Sequence, residues 1–158
     1  MKVSAEQPLA EITLRKYELP QQKAKEREIV KKICLSLGLL QPGDSRDVIV
    51  DVLHVFLKGK KRRALLPVSE IEKKVIRNRK LHKVPLLGVA SSNIRRQIKR
   101  LRNLLLVEKI KSGYRISEFM QLEALFSEKI EGLVMPNITN RVREYLKRAD
   151  DFFSLTKP

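Results

Sequence analysis

Residues 91–116, SSNIRRQIKRLRNLLLVEKIKSGYRI, constrain the fold more than any other stretch, because the period of their apolar positions changes partway. Ile94, Ile98, Leu101 and Leu105 recur at i, i+4, i+7 and i+11, the spacing of one helical stripe. Ser91 or Ser92 can cap this helix, since a serine oxygen accepts an orphan amide hydrogen of the first turn. At about 100° per residue the opposite face carries Ser92, Asn93, Arg96, Lys99, Arg100 and Asn103, and no acid. After it the helical period ends. Val107 and Ile110 flank Glu108 and Lys109, Ser112-Gly113 reads as a turn, and Tyr114-Arg115-Ile116 follows. That is a hairpin pattern, with Lys109, Lys111 and Arg115 around its tip.

Charge is concentrated in the same region. The 158 residues carry a net charge of +16. Residues 58–115 hold 19 Lys or Arg against only Glu70, Glu72 and Glu108, whereas the segments on either side are close to neutral. Like charge packed this densely opposes folding by self-repulsion, which an anionic partner relieves. A polyphosphate backbone is the obvious candidate, because each neutralised phosphate releases a condensed counterion. The blander reading is a solvated basic face.

Basic helix, short connection, basic hairpin is the order found in winged helix-turn-helix domains. On the residues IRRQIKRLRNLLL, VEKI and KSGYRI, this segment resembles the recognition helix and wing of that family. The resemblance implies a mainly α fold with a small β-hairpin, a winged helix-turn-helix domain carrying extra N- and C-terminal helices. The expected division is an N-terminal arm and helix over 1–43, the winged domain over 44–117, and C-terminal helices over 118–158.

The flanking sequence reads accordingly. Leu9, Ile12, Leu14 and Tyr17, bracketed by Pro8 and Pro20, form an irregular arm that frays or packs on a neighbouring subunit. A helix over 21–37 shows Ile29, Val30, Ile33 and Leu37 as its stripe and Gly38 as its stop. Asp44 or Ser45 is expected to cap an apolar helix from Val48 to Leu57, with His54 at the edge of the core and Asp51 beside it as a solvated pair. Lys58 to Arg63 read as a basic loop, and Ala64-Leu65-Leu66 as a short strand pairing with the wing. Ser69 and Glu72 fit a capping box opening a helix through Ile71, Val75 and Ile76. Pro85 and Gly88 lengthen the next connection beyond the three or four residues usual in the family, either through a longer helix or through an extra turn at 84–90. After the hairpin, 118–133 read as a helix with Phe119, Leu122, Leu125, Phe126, Ile130 and Leu133 apolar. Met135-Pro136-Asn137 is expected to break it, with Asn137 capping a last helix through Ile138, Val142, Leu146, Ala149 and Phe153. These neutral, apolar faces need cover, either from a second copy in a homodimer, which is the expectation, or from the N-terminal helix of the same chain.

No constellation for catalysis emerges. Two histidines and one cysteine give no metal spacing, no glycine-rich phosphate loop occurs, and Cys34 reads as a small buried hydrophobe. The expectation is a binding protein without enzymatic activity, cofactor or metal. No apolar run approaches the ~20 residues of a membrane span, the N-terminus lacks a signal-peptide core, and a lone cysteine suits a reducing compartment. That compartment would be the cytoplasm, with the nucleoid, or the nucleus.

The function expected is sequence-specific double-stranded DNA binding by a transcriptional regulator. Arg96 and Arg100 would reach guanine edges, and Asn93 and Asn103 adenine. Arg95, Lys99 and Arg102 would touch phosphates, with Ser92 at the helix start. Lys109, Lys111, Ser112, Gly113 and Arg115 of the wing, and Lys60, Lys61, Arg62 and Arg63 of the basic loop, would meet adjacent backbone. Gly113 would permit the tight tip. Non-specific architectural or chromatin binding, a replication or plasmid DNA-binding role, RNA or ribosome binding, and a protein-interaction module are the alternatives.

Overall fold

The computed structural model describes residues 5–157 and is mainly helical with one small antiparallel hairpin. The N-terminal readings that include residues 1–4 lie outside the described residues.

The hub is the helix α2, Val48–Lys61, packed against α1 (Glu26–Ser36), α3 (Val68–Leu81), α4 (Ser91–Asn103) and the second hairpin strand. Every residue from Val48 to Phe56 is buried. A helix this rich in β-branched residues has weak intrinsic propensity, so packing on all sides holds it. The core is aliphatic; Phe56 is the one aromatic among its fully buried members in the described residues.

The hairpin pairs β1 (Val107–Ile110) with β2 (Gly113–Ile116), Val107 opposite Ile116 and Ile110 opposite Gly113. Leu66 adds a third rung, exchanging both backbone hydrogen bonds with Tyr114 at 2.8 and 2.9 Å. The helix before the connection 82–90 ends at Leu81, the chain turns at 82–83, and the extra turn expected at 84–90 does not form. The connection is an extended strap held by Arg79, which donates to the Pro85 carbonyl at 2.7 Å, and by Asn93, which donates to Gly88 at 2.7 Å.

Behind the strap lies a buried charge cluster. Arg79, 1% exposed, donates through Nη1 to Asp51 at 2.6 Å and Asp47 at 3.0 Å. Arg27 of α1 donates to the same two carboxylates at 3.0–3.2 Å. Burial works against the Arg27 charge and against ionised Asp47. The ion pairs outweigh it, raising the Arg27 pKa and holding Asp47 below the ordinary aspartate range. Asn78 donates to Asp51 at 2.9 Å and reaches His54 Nδ1 at 3.2 Å, while His54 Nε2 faces Glu26 at 3.3 Å. Asp51 and His54 are therefore not a solvated pair: side chains of α1 and α3 close over them.

Several local readings are corrected. Ser69 and Glu72 form no capping box, because α3 already starts at Val68 after Pro67. Asp44 caps its own turn by accepting the Arg46 amide, and Asp47 occupies the cap position of α2 without a side-chain cap bond. Lys58, Lys60 and Lys61 are the last turn of α2, where they complement the carbonyl end of the helix dipole, and not a loop. Leu105 leaves the α4 stripe: it is left-handed at φ 65°, and Leu106 is buried instead. The N-terminal arm packs on its own chain, with the Arg15 guanidinium donating to Leu35 at 2.7 Å.

The C-terminal break is absent too. α5 (Leu122–Leu125), a π-helical stretch (Phe126–Val134) and α6 (Met135–Phe152) run on without leaving right-handed helical geometry. Pro136 falls in the first turn of α6. The wide turn before it spares the clash that breaks an ordinary helix. Leu125 and Ile130 anchor the rod to the core, but no residue of α6 is buried. No helix among the described residues is long and apolar enough to cross a membrane.

Candidate nucleic-acid interface

α4 is seated on the core by Ile94, Ile98 and Leu101, all at most 2% exposed. Its start is fixed from outside the helix. Ala90 is the cap residue, no serine caps it, and Ser91 instead donates to Glu72 of α3 at 2.6 Å. With that face down, the other side chains divide into three strips.

The outward ridge is Ser92, Arg96, Lys99 and Asn103, all exposed. On the flank toward the hairpin, exposed Arg95 and Arg102 line a groove of about 660 Å³ with Lys99, Lys109 and Tyr114. The Arg102 guanidinium lies 5.7 Å and the Lys109 ammonium 5.8 Å from the Tyr114 ring centre. On the other flank Asn93, Gln97 and Arg100 are partly buried against residues 38–49.

That third strip corrects two expected base readers. Asn93 uses its amide on Gly88 and its carbonyl oxygen on Arg96 at 2.7 Å and Gln97 at 3.0 Å. Arg100 donates to Gln97 at 2.8 Å and points toward the Gly38 carbonyl at 3.5 Å. Asn93 braces α4 against the strap and Arg100 against the loop after α1. Helical periodicity places both residues on the polar face, as they are, but it cannot show that a loop covers one edge of that face.

Glu108 of β1 also lines the groove between α4 and the hairpin, and the remaining hairpin charges divide between its two faces. Lys109 and Tyr114 pair across the strands toward α4. Arg115 alternates to the other side, where it donates to Glu108 at 2.8 Å and lies 4.8 Å from the Phe119 ring. Glu108 also accepts the Glu118 amide at 2.7 Å; burial would raise its pKa, but these donors hold it below the usual glutamate range. Arg115 thus clamps the hairpin to the turn that follows. Lys111 and Ser112 are exposed at the tip, and Lys111 supplies the left-handed residue at φ 57°. Gly113 is buried and not left-handed. A Cβ there would stand 2.5 Å from Leu65 Cγ, so its role is to admit Leu65 and not to form the tip.

The basic run Lys60–Arg63 separates from this face. Lys60 donates to Gln121 at 3.0 Å, and Lys61 and Arg62 line a different groove, between α2 and α3. Arg63 is exposed and left-handed at φ 51°.

Among the described residues, Arg95, Arg96, Lys99, Arg100, Arg102, Lys109 and Lys111 have no carboxylate within ion-pair distance. Elsewhere, burial pushes the Cys34 thiol up to about 12, so it is a protonated core side chain. No group of three or more His, Cys, Asp or Glu among the described residues is arranged to hold a metal ion. The chain matches no protein-family model, no curated protein and no solved structure.

Proposed function

We propose that residues 44–117 form a winged helix-turn-helix domain that binds double-stranded DNA, as a sequence-specific regulator acting by binding alone. One observation carries this reading. The ridge and hairpin flank of α4 form a continuous surface of exposed cations without carboxylate partners, and a cation-bearing hairpin stands beside them. The Leu66–Tyr114 rung supports the winged architecture by tying the hairpin to the segment between α2 and α3.

On this reading the α4 ridge enters the major groove. Arg96 is the guanine reader, because a guanidinium can donate twice to one base, and Asn103 faces adenine. Arg95, Lys99 and Arg102 meet phosphates, which fix register, and Lys109, Lys111 and Ser112 follow the neighbouring backbone. A homodimer through α6 is part of the proposal. Met135, Ile138, Val142, Tyr145, Ala149 and Phe152 alternate in spacings of three and four, a heptad seam, and Val142, Tyr145 and Phe152 are each more than half exposed. Such a dimer addresses two half-sites about 34 Å apart or a multiple of that.

The test is a mobility-shift assay with random-sequence duplex selection at two salt concentrations, with structured RNA as competitor. A recovered motif and loss of binding at high salt are expected. Equal affinity for unrelated duplexes would move the reading to architectural binding, and preferential competition by RNA would overturn the duplex assignment. Sedimentation of Val142→Glu tests the dimer: the wild type sediments as a dimer and the variant as a monomer.

A further inference from the structure

The groove between α2 and α3 is a second basic surface. Lys58, Lys61 and Arg62 form one wall, and Lys74 and Arg77 the other, around about 380 Å³. The nearest acids hold little of this charge. Glu70 lies 3.7 Å from Lys74, and Glu26 faces His54 while sensing Lys61 and Lys58. Lys58 is fixed by a 2.8 Å hydrogen bond to the neutral amide oxygen of Asn78, which is itself 3% exposed. Four cations on two helices, with Arg62 at the end of α2, repel one another, and an extended phosphate backbone threading the groove relieves that repulsion.

This groove and the α4–hairpin groove share no residue. Helical geometry also sets them apart. On α3, Glu72 touches Ser91 at the start of α4, while Lys74, Arg77 and Leu81 lie on the opposite flank. Lys61 and Arg62, which the sequence assigns to a single interface, therefore belong to another side of the molecule.

We propose that the α2–α3 groove is a second site for nucleic-acid backbone, so that one chain holds a second duplex segment while α4 engages the first. The proposal rests on duplex binding by α4, and the experiment separates the two. Full-length protein is mixed with a bead-bound duplex and a fluorescent duplex of unrelated sequence, and retention of the fluorescent duplex is measured beside affinity for a single duplex. Lys61→Gln/Arg62→Gln/Arg77→Gln is expected to cut retention at least tenfold. The charge-conserving Lys61→Arg/Arg62→Lys/Arg77→Lys is expected to retain it.

Arg95→Gln/Lys99→Gln/Arg102→Gln should weaken single-duplex affinity instead; unchanged affinity there refutes the α4 reading and leaves the groove result standing. Wild-type protein that bridges no second duplex, or bridging that survives the glutamine variant of the groove, overturns the proposal.

Discussion

The cluster of Arg27, Asp47, Asp51 and Arg79 and the exposed face of α4 use the same residue types in opposite ways. In the cluster each guanidinium has two carboxylates within 3.2 Å, and Asp51 is wholly buried. On the exposed face of α4, Arg95, Arg96, Lys99 and Arg102 stand in solvent with no carboxylate within ion-pair distance. Removing charge from water costs several kcal/mol per ion, so a buried charge persists only when fully paired and hydrogen-bonded. An exposed charge costs little in isolation and keeps its field for a partner. One region thus fixes the geometry of α1, α2, α3 and the strap; the other is available for binding.

The largest expected effect breaks the first half of this contrast. Asp51→Ala leaves Arg27 and Arg79 short of a carboxylate and should cost about 3–5 kcal/mol in denaturant unfolding. A loss under about 1 kcal/mol would mean the cluster does not hold the helices together. Gly113→Ala should cost about 1–3 kcal/mol through collision with Leu65, most of it recovered in a Leu65→Ala background, as a double-mutant cycle would measure. On α4, Arg95→Ala, Lys99→Ala and Arg102→Ala should each move stability by less than about 0.5 kcal/mol while weakening duplex affinity. Destabilisation comparable to Asp51→Ala would erase the distinction between the two regions.

The smallest effect is with pH. Burial, opposed by Glu26, holds His54 below its ordinary 6.5, and the neutral ring accepts the Asn78 amide. The unfolded chain therefore takes up this proton first. Stability from His54 is complete above about pH 6.5 and declines as pH falls below it. Asp47, also depressed, extends the loss below about 3.8. Thermal melts of wild type and His54→Gln across this range should differ in slope only in the upper window.

Periodicity made α2, α3, α4 and the hairpin legible, because each has an apolar pattern that one secondary structure satisfies. The pairing of Leu66 was expected from the resemblance and forms as a single bridge to Tyr114. Caps were not legible in the same way. Ser91 had a competing partner in Glu72, and Asn137 sat inside a helix that Pro136 did not break. The buried cluster joins residues 20 to 32 apart and leaves no local pattern. A signal did exist: Asp51 and His54 interrupt a run, 48–57, that is otherwise wholly apolar, and a charge in such a run needs a buried counterpart. Arg79 looked like any member of a basic run, and Arg100 like any exposed arginine, until the folded chain brought Asp51 and the Gly38 loop against them.

The slope of log affinity for a duplex against log salt tests most directly whether the unpaired cations of α4 and the hairpin are the binding surface. A steep negative slope is expected, becoming shallower by about 0.9 for each phosphate that Arg95, Lys99 or Arg102 no longer neutralises once replaced. A slope near zero, or one unchanged when all three are replaced, would contradict it.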